Sequence, residues 1–245
     1  MRISMLVKTL LTVGRVSNLP TVWTNVLAAA MLAQASVLTP ELAKPASLWF
    51  GVLAALSLMY LGGMFLNDAF DADWDRTNNP SRPIVIGEIS VQWVWRIGSA
   101  LLIIAIMMIT YLYQSTLKPD DTHSPFVQHY GWVSAVLLAI TIIAYNAWHK
   151  KFAHSAFIMG FCRFGVYLVG ALLLAQLTYT VLLAGASLLL YIAGLTYLAR
   201  LEHHNRIVNM WPLLLLFSPV AVAVAHGYES IYFWCYLLVF VTWVV

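Results

Sequence analysis

Long apolar runs broken by short polar segments dominate this chain, and within the runs the apolar positions do not alternate with a period of two. Stretches of about 20 apolar residues are long enough to cross a bilayer as helices. On that pattern spans are expected near Leu19 to Leu38, Ala46 to Leu66, Val91 to Tyr113, Tyr130 to Trp148, Ala156 to Gln176, Thr178 to Leu198, Ile207 to Ala225 and Ile231 to Val245. A bilayer core leaves unpaired backbone groups unsatisfied, so a spanning chain must be helical or a closed barrel, and the lack of alternation selects helices. The expected fold class is therefore all-α, a polytopic transmembrane bundle of about eight spans. It forms a single domain over residues 1–245, with no soluble domain, low-complexity linker or short-period repeat.

The polar interruptions refine this picture. The longest, Gln114 to Gln128, carries Lys118, Asp120 and Asp121 and reads as a solvated loop. At the front, Met1 to Ser17 mixes Arg2, Lys8 and Arg15 with apolar residues. Because Arg15 interrupts the apolar run and no small-residue cleavage site follows, this segment is expected to be an interfacial helix leading into the first span, not a signal peptide.

Composition agrees with a membrane protein: 62% of residues are hydrophobic and 9% charged, with a mean hydropathy of +0.82, beyond the usual range of soluble domains. Placing the N-terminus and the second, fourth and sixth loops on one side puts Arg2, Lys8, Arg15, Arg76, Arg82, Arg96, Lys150, Lys151, Arg163, Arg200 and Arg206 there, and only Lys44 and Lys118 opposite. By the positive-inside rule that side is cytoplasmic, which predicts a multi-pass protein of the cell inner (plasma) membrane. The net charge of +3 then reflects topology, and no nucleic-acid partner is expected. Cys162 and Cys235 lie in separate apolar segments without ligand spacing and read as packing residues. Trp93, Trp95, Trp132, Trp148 and Trp211 are expected at the membrane interfaces.

Chemistry concentrates after the second span, in Asn67-Asp68-x-x-Asp71-x-Asp73-x-Asp75. Four carboxylates in so short a segment beside a bilayer repel one another unless a cation holds them. If the helix continues through Asp75, its period places Asp68, Asp71 and Asp75 on one face with Asn67 beside them, and Asp73 points away. Such hard oxygen donors suit Mg²⁺, which takes few protein carboxylates and completes its shell with water and phosphate oxygens. The same side offers Arg82, Tyr145, Lys150, Lys151, Tyr197, Arg200 and Glu202, an alternation of acid and base expected of a site for a metal-bound polyanion. Arg163, inside the fifth span, is expected to meet water or an anion.

The aspartate segment, followed by Arg82-Pro83 and Gly87-x-Ile89-Ser90, resembles the first acidic motif of the UbiA-type intramembrane prenyltransferases. Tyr145 with Lys150 and Lys151 resembles that family's fourth-loop basic motif, and Arg15, Gly160-x-x-Arg163 and Gly170 fit more loosely. The resemblance implies a helical bundle around a central cavity open toward the cytoplasmic side. It also implies Mg²⁺-dependent transfer of an isoprenoid from a prenyl diphosphate to a small-molecule acceptor among membrane lipids. In that reading Asn67, Asp68, Asp71, Asp75 and Glu202 hold Mg²⁺, with Asp68, Asp71 and Asp75 catalytic. Arg15, Arg82, Lys150, Lys151, Arg163 and Arg200 bind diphosphate, and Tyr145 and Tyr197 orient substrate.

Two features depart from the family pattern. The sixth loop reads Tyr197-Leu198-Ala199-Arg200-Leu201-Glu202-His203-His204, with Glu202 as its only acid where the family has two aspartates. The ninth family span has no counterpart, which leaves an eight-helix closure, a partner or second protomer covering the gap, or an incomplete chain. The Tyr-Leu-Ala-Arg-x-Glu variant, with Ser17 to Asn25 at the front, is similar to the divergent EboC-like branch of the family. The competing reading is a non-catalytic UbiA-like transporter or lipid-binding membrane protein, favoured by the weakened second motif but not by any inverted pair of Gly/Pro-interrupted spans. CDP-alcohol phosphotransferases share Asp-x-x-x-Asp, yet their Asp-Gly and Ala-Arg elements are absent from this loop.

Overall fold

A computed structural model describes residues 2–35, 44–117, 125–152, 154–202, 210–227 and 234, with no strand among them. The chain opens with α1 (Arg2–Val13), turns through Gly14 and Arg15 into a 3₁₀ turn (Val16–Asn18), and enters α2 (Leu19–Ala35). Then follow α3 (Ala46–Phe70), the short α4 (Ala72–Asn78), α5 (Val91–Thr116), α6 (Pro125–Trp148), α7 (Ser155–Leu174) and α8 (Tyr179–Glu202). A second 3₁₀ segment (Trp211–Phe217) leads into α9 (Ser218–Gly227).

Local chemistry sets several of these starts. Pro45 precedes α3 in extended conformation, where its missing N–H costs the helix nothing. Ser90 caps α5 by accepting from the backbone N–H of Trp93. Five helices among the described residues are long and apolar enough to cross a membrane: α3, α5, α7, residues 129–148 of α6 and residues 179–199 of α8. With 17 residues, α2 is shorter. The expected span at Ile207 to Ala225 differs. Its described part is a 3₁₀ segment followed by a short helix, because Pro212 and Pro219 each lack the N–H that a continuous α-helix needs there. The eighth expected span, from Ile231, lies outside the described residues apart from Trp234.

One core joins five helices: Val22 and Val26 of α2, Leu56 and Met59 of α3, Leu102 and Ile109 of α5, Leu138 of α6, and Val169 and Leu173 of α7. Apolar burial drives no helix association inside lipid, so close packing must do it, and small residues make it possible. A methyl on Gly62 would come within 2.9 Å of the Gly98 carbonyl oxygen, and one on Gly63 within 2.8 Å of Ile142. These approaches lock α3 against α5 and α6 just below the acidic segment. A second cluster of Val13, Phe65, Ala69, Ile89 and Val94 fixes the end of α1 to the same ends of α3 and α5. On the other side of α1, Leu6, Val7 and Leu11 are exposed, as expected of a helix lying in an interface.

Candidate active site at the end of the third helix

The acidic segment straddles the junction of α3 and α4. Asn67 and Asp68 close α3 and are buried. Asp71 caps it at φ −85°, ψ −6°, and Asp75 lies buried one turn into α4. Helical hydrogen bonds carry across the junction, from Asp71 N–H to the Asn67 carbonyl (3.0 Å) and from Asp75 N–H to the Asp71 carbonyl (2.8 Å). Asp73 faces solvent and pairs with Arg76 at 2.8 Å.

Each inward carboxylate meets a cation. Arg15 Nη2 donates to Asn67 Oδ1 (3.1 Å) and Asp68 Oδ1 (3.2 Å). Arg82 stands between Asp68 and Asp75, 3.8 Å from a carboxylate oxygen of each. Asn79 Nδ2 donates to Asp75 from the following turn (3.0 Å). Asp71 is turned instead toward α6, where Lys150 Nζ lies at 2.8 Å and His149 Nε2 at 3.3 Å. Burial pushes the Asp71 carboxyl up, but the hydrogen bonds and charges of His149 and Lys150 outweigh it and hold the group below its ordinary 3.8. Lys150 Nζ also sits 3.7 Å from the centroid of the Trp74 ring, a cation–π contact that fixes it between α4 and α6.

Behind the carboxylates an amide network joins α3 to α6. Asn67 Nδ2 donates to Asn146 Oδ1 (3.2 Å), and Asn146 Nδ2 donates to the Gly63 carbonyl (2.9 Å). The glycine lets the backbones approach closely enough for this bond. Asn67 thus presents its oxygen outward to Arg15. Arg15 itself holds φ +45°, the only positive φ at a non-glycine among the described residues. An L-residue pays about 1–2 kcal/mol for that conformation, and the turn it makes aims the guanidinium at the acids.

Directly beneath the acids lies a cavity of about 170 Å³, walled by α2, α3, α6 and α7. Arg15, Asn18, Tyr145 and Asn146 rim its polar end; Arg163, Cys162, Tyr60 and three methionines line its sides; Val22, Leu56, Leu138 and Val166 form its floor. Tyr145 stacks on His149, with ring centroids 5.2 Å apart. A polar, charge-lined mouth over an apolar interior suits an amphiphile with an anionic head.

Of the residues singled out by sequence, Asn67, Asp68, Asp75, Arg15 and Arg82 form one contact set, and Asp71 with Lys150 forms an adjoining one. Tyr145 and Arg163 line the cavity. Lys151 is exposed, and Tyr197 is half-buried on α8, away from the described lining. The backbones of Arg200 and Glu202 close α8, whereas their side chains, with His203 and His204, lie outside the described residues. No group of three His, Cys, Asp or Glu side chains converges as a metal cage among the described residues. The physical reason is visible: the Arg82 guanidinium stands between Asp68 and Asp75, and Asp71 faces Lys150 and His149 instead. The sequence reading assigned Cys162 to packing, yet it also lines the cavity. From sequence, Asn146 and His149 stood among the polar residues of the fourth loop without individual roles, whereas Trp74 and Tyr60 were not singled out. A polar pair three residues apart before the Lys-Lys doublet was the available signal for Asn146 and His149.

A cluster of acids and paired cations beside a largely apolar cavity, in a bundle with five described helices long and apolar enough to cross a membrane, defines an integral membrane protein. The profile of the UbiA prenyltransferase family matches residues 21–245, and the chain belongs to that family. Its fold is similar to a solved structure from work on a digeranylgeranylglyceryl phosphate synthase in membranes. The TM-score is 0.67 at 19% sequence identity, covering 90% of this chain and 77% of that one. No curated protein matches the sequence.

Proposed function

We propose that this protein transfers a prenyl group from a prenyl diphosphate to a small-molecule acceptor inside the membrane, in a Mg²⁺-dependent reaction at the acidic segment. One observation carries the reading: the ion-pair cluster of Asp68 and Asp75 with Arg15 and Arg82 adjoins a largely apolar cavity through Arg15, which belongs to both. A diphosphate needs the cations, its isoprenoid needs the cavity, and the carboxylates have no use toward either except through a metal.

The donor set fits Mg²⁺. Asp68 and Asp75 flank the same guanidinium, and Asn67 adds an amide oxygen beside them, which is the small number of hard protein oxygens this ion accepts alongside phosphate. Asn67, Asp68 and Asp75 would hold it, and Asp71 and Glu202 are proposed as further donors. When bound it stabilises negative charge developing on the leaving diphosphate. Arg15, Arg82, Lys150, Lys151, Arg163 and Arg200 neutralise the same group as the carbon–oxygen bond breaks and its electron pair leaves with the diphosphate. An electron pair of the acceptor then forms the new bond to the prenyl carbon, and the proton this displaces from the acceptor passes to solvent. Tyr145 and Tyr197 orient the acceptor and the phosphate. The excess of basic residues on the acidic segment's side supports an inner-membrane protein with its site facing the cytoplasm. The Tyr197-to-Glu202 variant supports membership of the EboC-like branch.

A second reading, a lipid-binding or transporting relative without turnover, is favoured by the pairing of Asp68, Asp71 and Asp75 with the protein's own cations. Turnover separates the two. With labelled prenyl diphosphate and a panel of small-molecule acceptors, the wild type should form a prenylated product. Asp71→Ala and Asp75→Ala should lower the rate by at least about 100-fold while the protein still purifies as a folded species. Equal rates in both variants would remove the acidic segment from the mechanism.

A further inference from the structure

The helical register around the cavity shows where it ends. Going inward from the acids, α6 contributes Asn146, Ile142 and then Leu138; α3 contributes Gly63, Met59 and then Leu56; and α7 descends from Met159 to Val166. At 1.5 Å per residue, Leu138 lies about 12 Å below Asn146. With Leu56, Val22 and Val166 it closes the bottom as part of the main core, and it is 2% exposed.

Leu138 differs from the other floor residues in having open space behind it. A second, apolar hollow of about 500 Å³ runs between α6 and α7, lined by Tyr130, Leu137, Phe161 and Phe164 among others, and Leu138 belongs to its wall as well. On the α7 side the leucine lies against Gly165, where a methyl would come within 2.8 Å of Leu138 Cδ1. Among the lining residues of the two hollows, Leu138 is the one that borders both the small cavity and the larger apolar groove on the flank of the bundle.

We propose that Leu138 is the chain-length stop of the donor site, so that the wild type prefers prenyl diphosphates of one or two isoprene units and rejects longer ones. This rests on the prenyl diphosphate reading given above. A cavity of about 170 Å³ is small beside the roughly 300–1,000 Å³ of most small-molecule sites. A tail that outgrows it meets a close-packed leucine, and a core of native density resists such insertion. Cutting Leu138 back to its Cβ joins the cavity to the groove and gives a third and fourth isoprene unit somewhere to lie.

The test is a ladder of non-hydrolysable prenyl diphosphates with five, ten, fifteen and twenty carbons, bound to the full-length protein in detergent with Mg²⁺. The wild type should bind the five- or ten-carbon analogue best and the twenty-carbon one at least about tenfold more weakly. Leu138→Ala should bind the fifteen- or twenty-carbon analogue best. Leu138→Met, nearly equal in volume, should keep the wild-type order, and Val166→Ala, which adds floor space without reaching the groove, should not favour the longest chains. A wild type that binds the twenty-carbon analogue as tightly as the ten-carbon one overturns the stop on its own, even if Leu138→Ala fails to fold. An unchanged order in a folded Leu138→Ala does the same. In both cases the donor reading stands. A wild type that binds no member of the series overturns that reading, and the stop with it.

Discussion

Arg15 shows how much this site asks of a single side chain. It leaves α1 in a left-handed backbone conformation, receives a hydrogen bond from Tyr60 on its carbonyl (3.4 Å), and reaches Asn67 and Asp68. Backbone strain and guanidinium can be separated. Arg15→Gly and Arg15→Ala both lose the charge, but only glycine relaxes at φ +45°. Arg15→Gly should therefore unfold with about 1 kcal/mol more stability than Arg15→Ala, read from denaturant midpoints in a mild detergent, while both bind prenyl diphosphate weakly. Asp71 gives a pH-dependent counterpart. Its folded pKa is depressed, so its ionised form contributes stability that is present above the unfolded value and lost as pH falls through the folded one. Asp71→Asn should accordingly be less stable than the wild type at neutral pH, and the gap should close as the pH drops below 3.8. A gap that persists in acid would mean the amide disturbs packing instead. From sequence the acids stood out because apolar surroundings make charge conspicuous. Arg15's strained turn, the turning of Asp71 toward Lys150 and the amide bridge through Asn146 did not, because each depends on where a neighbouring helix passes.

At the level of elements, much of the layout follows from hydrophobic runs and their breakers. The expected starts of the first three spans, Leu19, Ala46 and Val91, coincide with the starts of α2, α3 and α5. Pro45 and Ser90 mark two of those boundaries chemically. The seventh run was expected to be one helix, because its apolar length is right, but the prolines within it break the backbone ladder. Which helices touch is not written in hydropathy. It is written, weakly, in small residues. Gly160 faces the backbone carbonyl of Leu189 on α8 so closely that any Cβ there would collide with it, whereas a methyl on Gly170 would sit at 3.5 Å from Val26, an ordinary contact. Gly160→Ala should therefore lower stability by about 1–3 kcal/mol, and Gly170→Ala by well under 1. Thermal unfolding of the two purified variants checks this, and equal losses would contradict the α7–α8 approach described above.

Across the whole molecule, α2, α3, α6 and α7 converge so that their apolar sides floor one cavity and polar residues at their ends rim it or stand beside it. Asn67 and Asp68 come from α3, Asp75 from α4, Asn146 from α6, Arg163 from α7 and Arg15 from the turn before α2. Asp68, Asp71 and Asp75 are each paired with Arg15, Arg82 or Lys150; in the proposed reaction Asp68 and Asp75 would be the residues that hold Mg²⁺, and Arg15 and Arg82 would then be left to neutralise phosphate. Binding of metal and diphosphate must then be mutually dependent. The most direct measurement is titration of the detergent-solubilised protein with a non-hydrolysable ten-carbon prenyl diphosphate, with and without Mg²⁺, in the wild type and in Asp68→Asn. The account predicts tight binding only with Mg²⁺ in the wild type, with an unfolding temperature that rises as ligand saturates, and little binding in the variant under either condition. Binding of equal strength without Mg²⁺, undiminished in Asp68→Asn, would contradict it and assign the anion to the arginines alone.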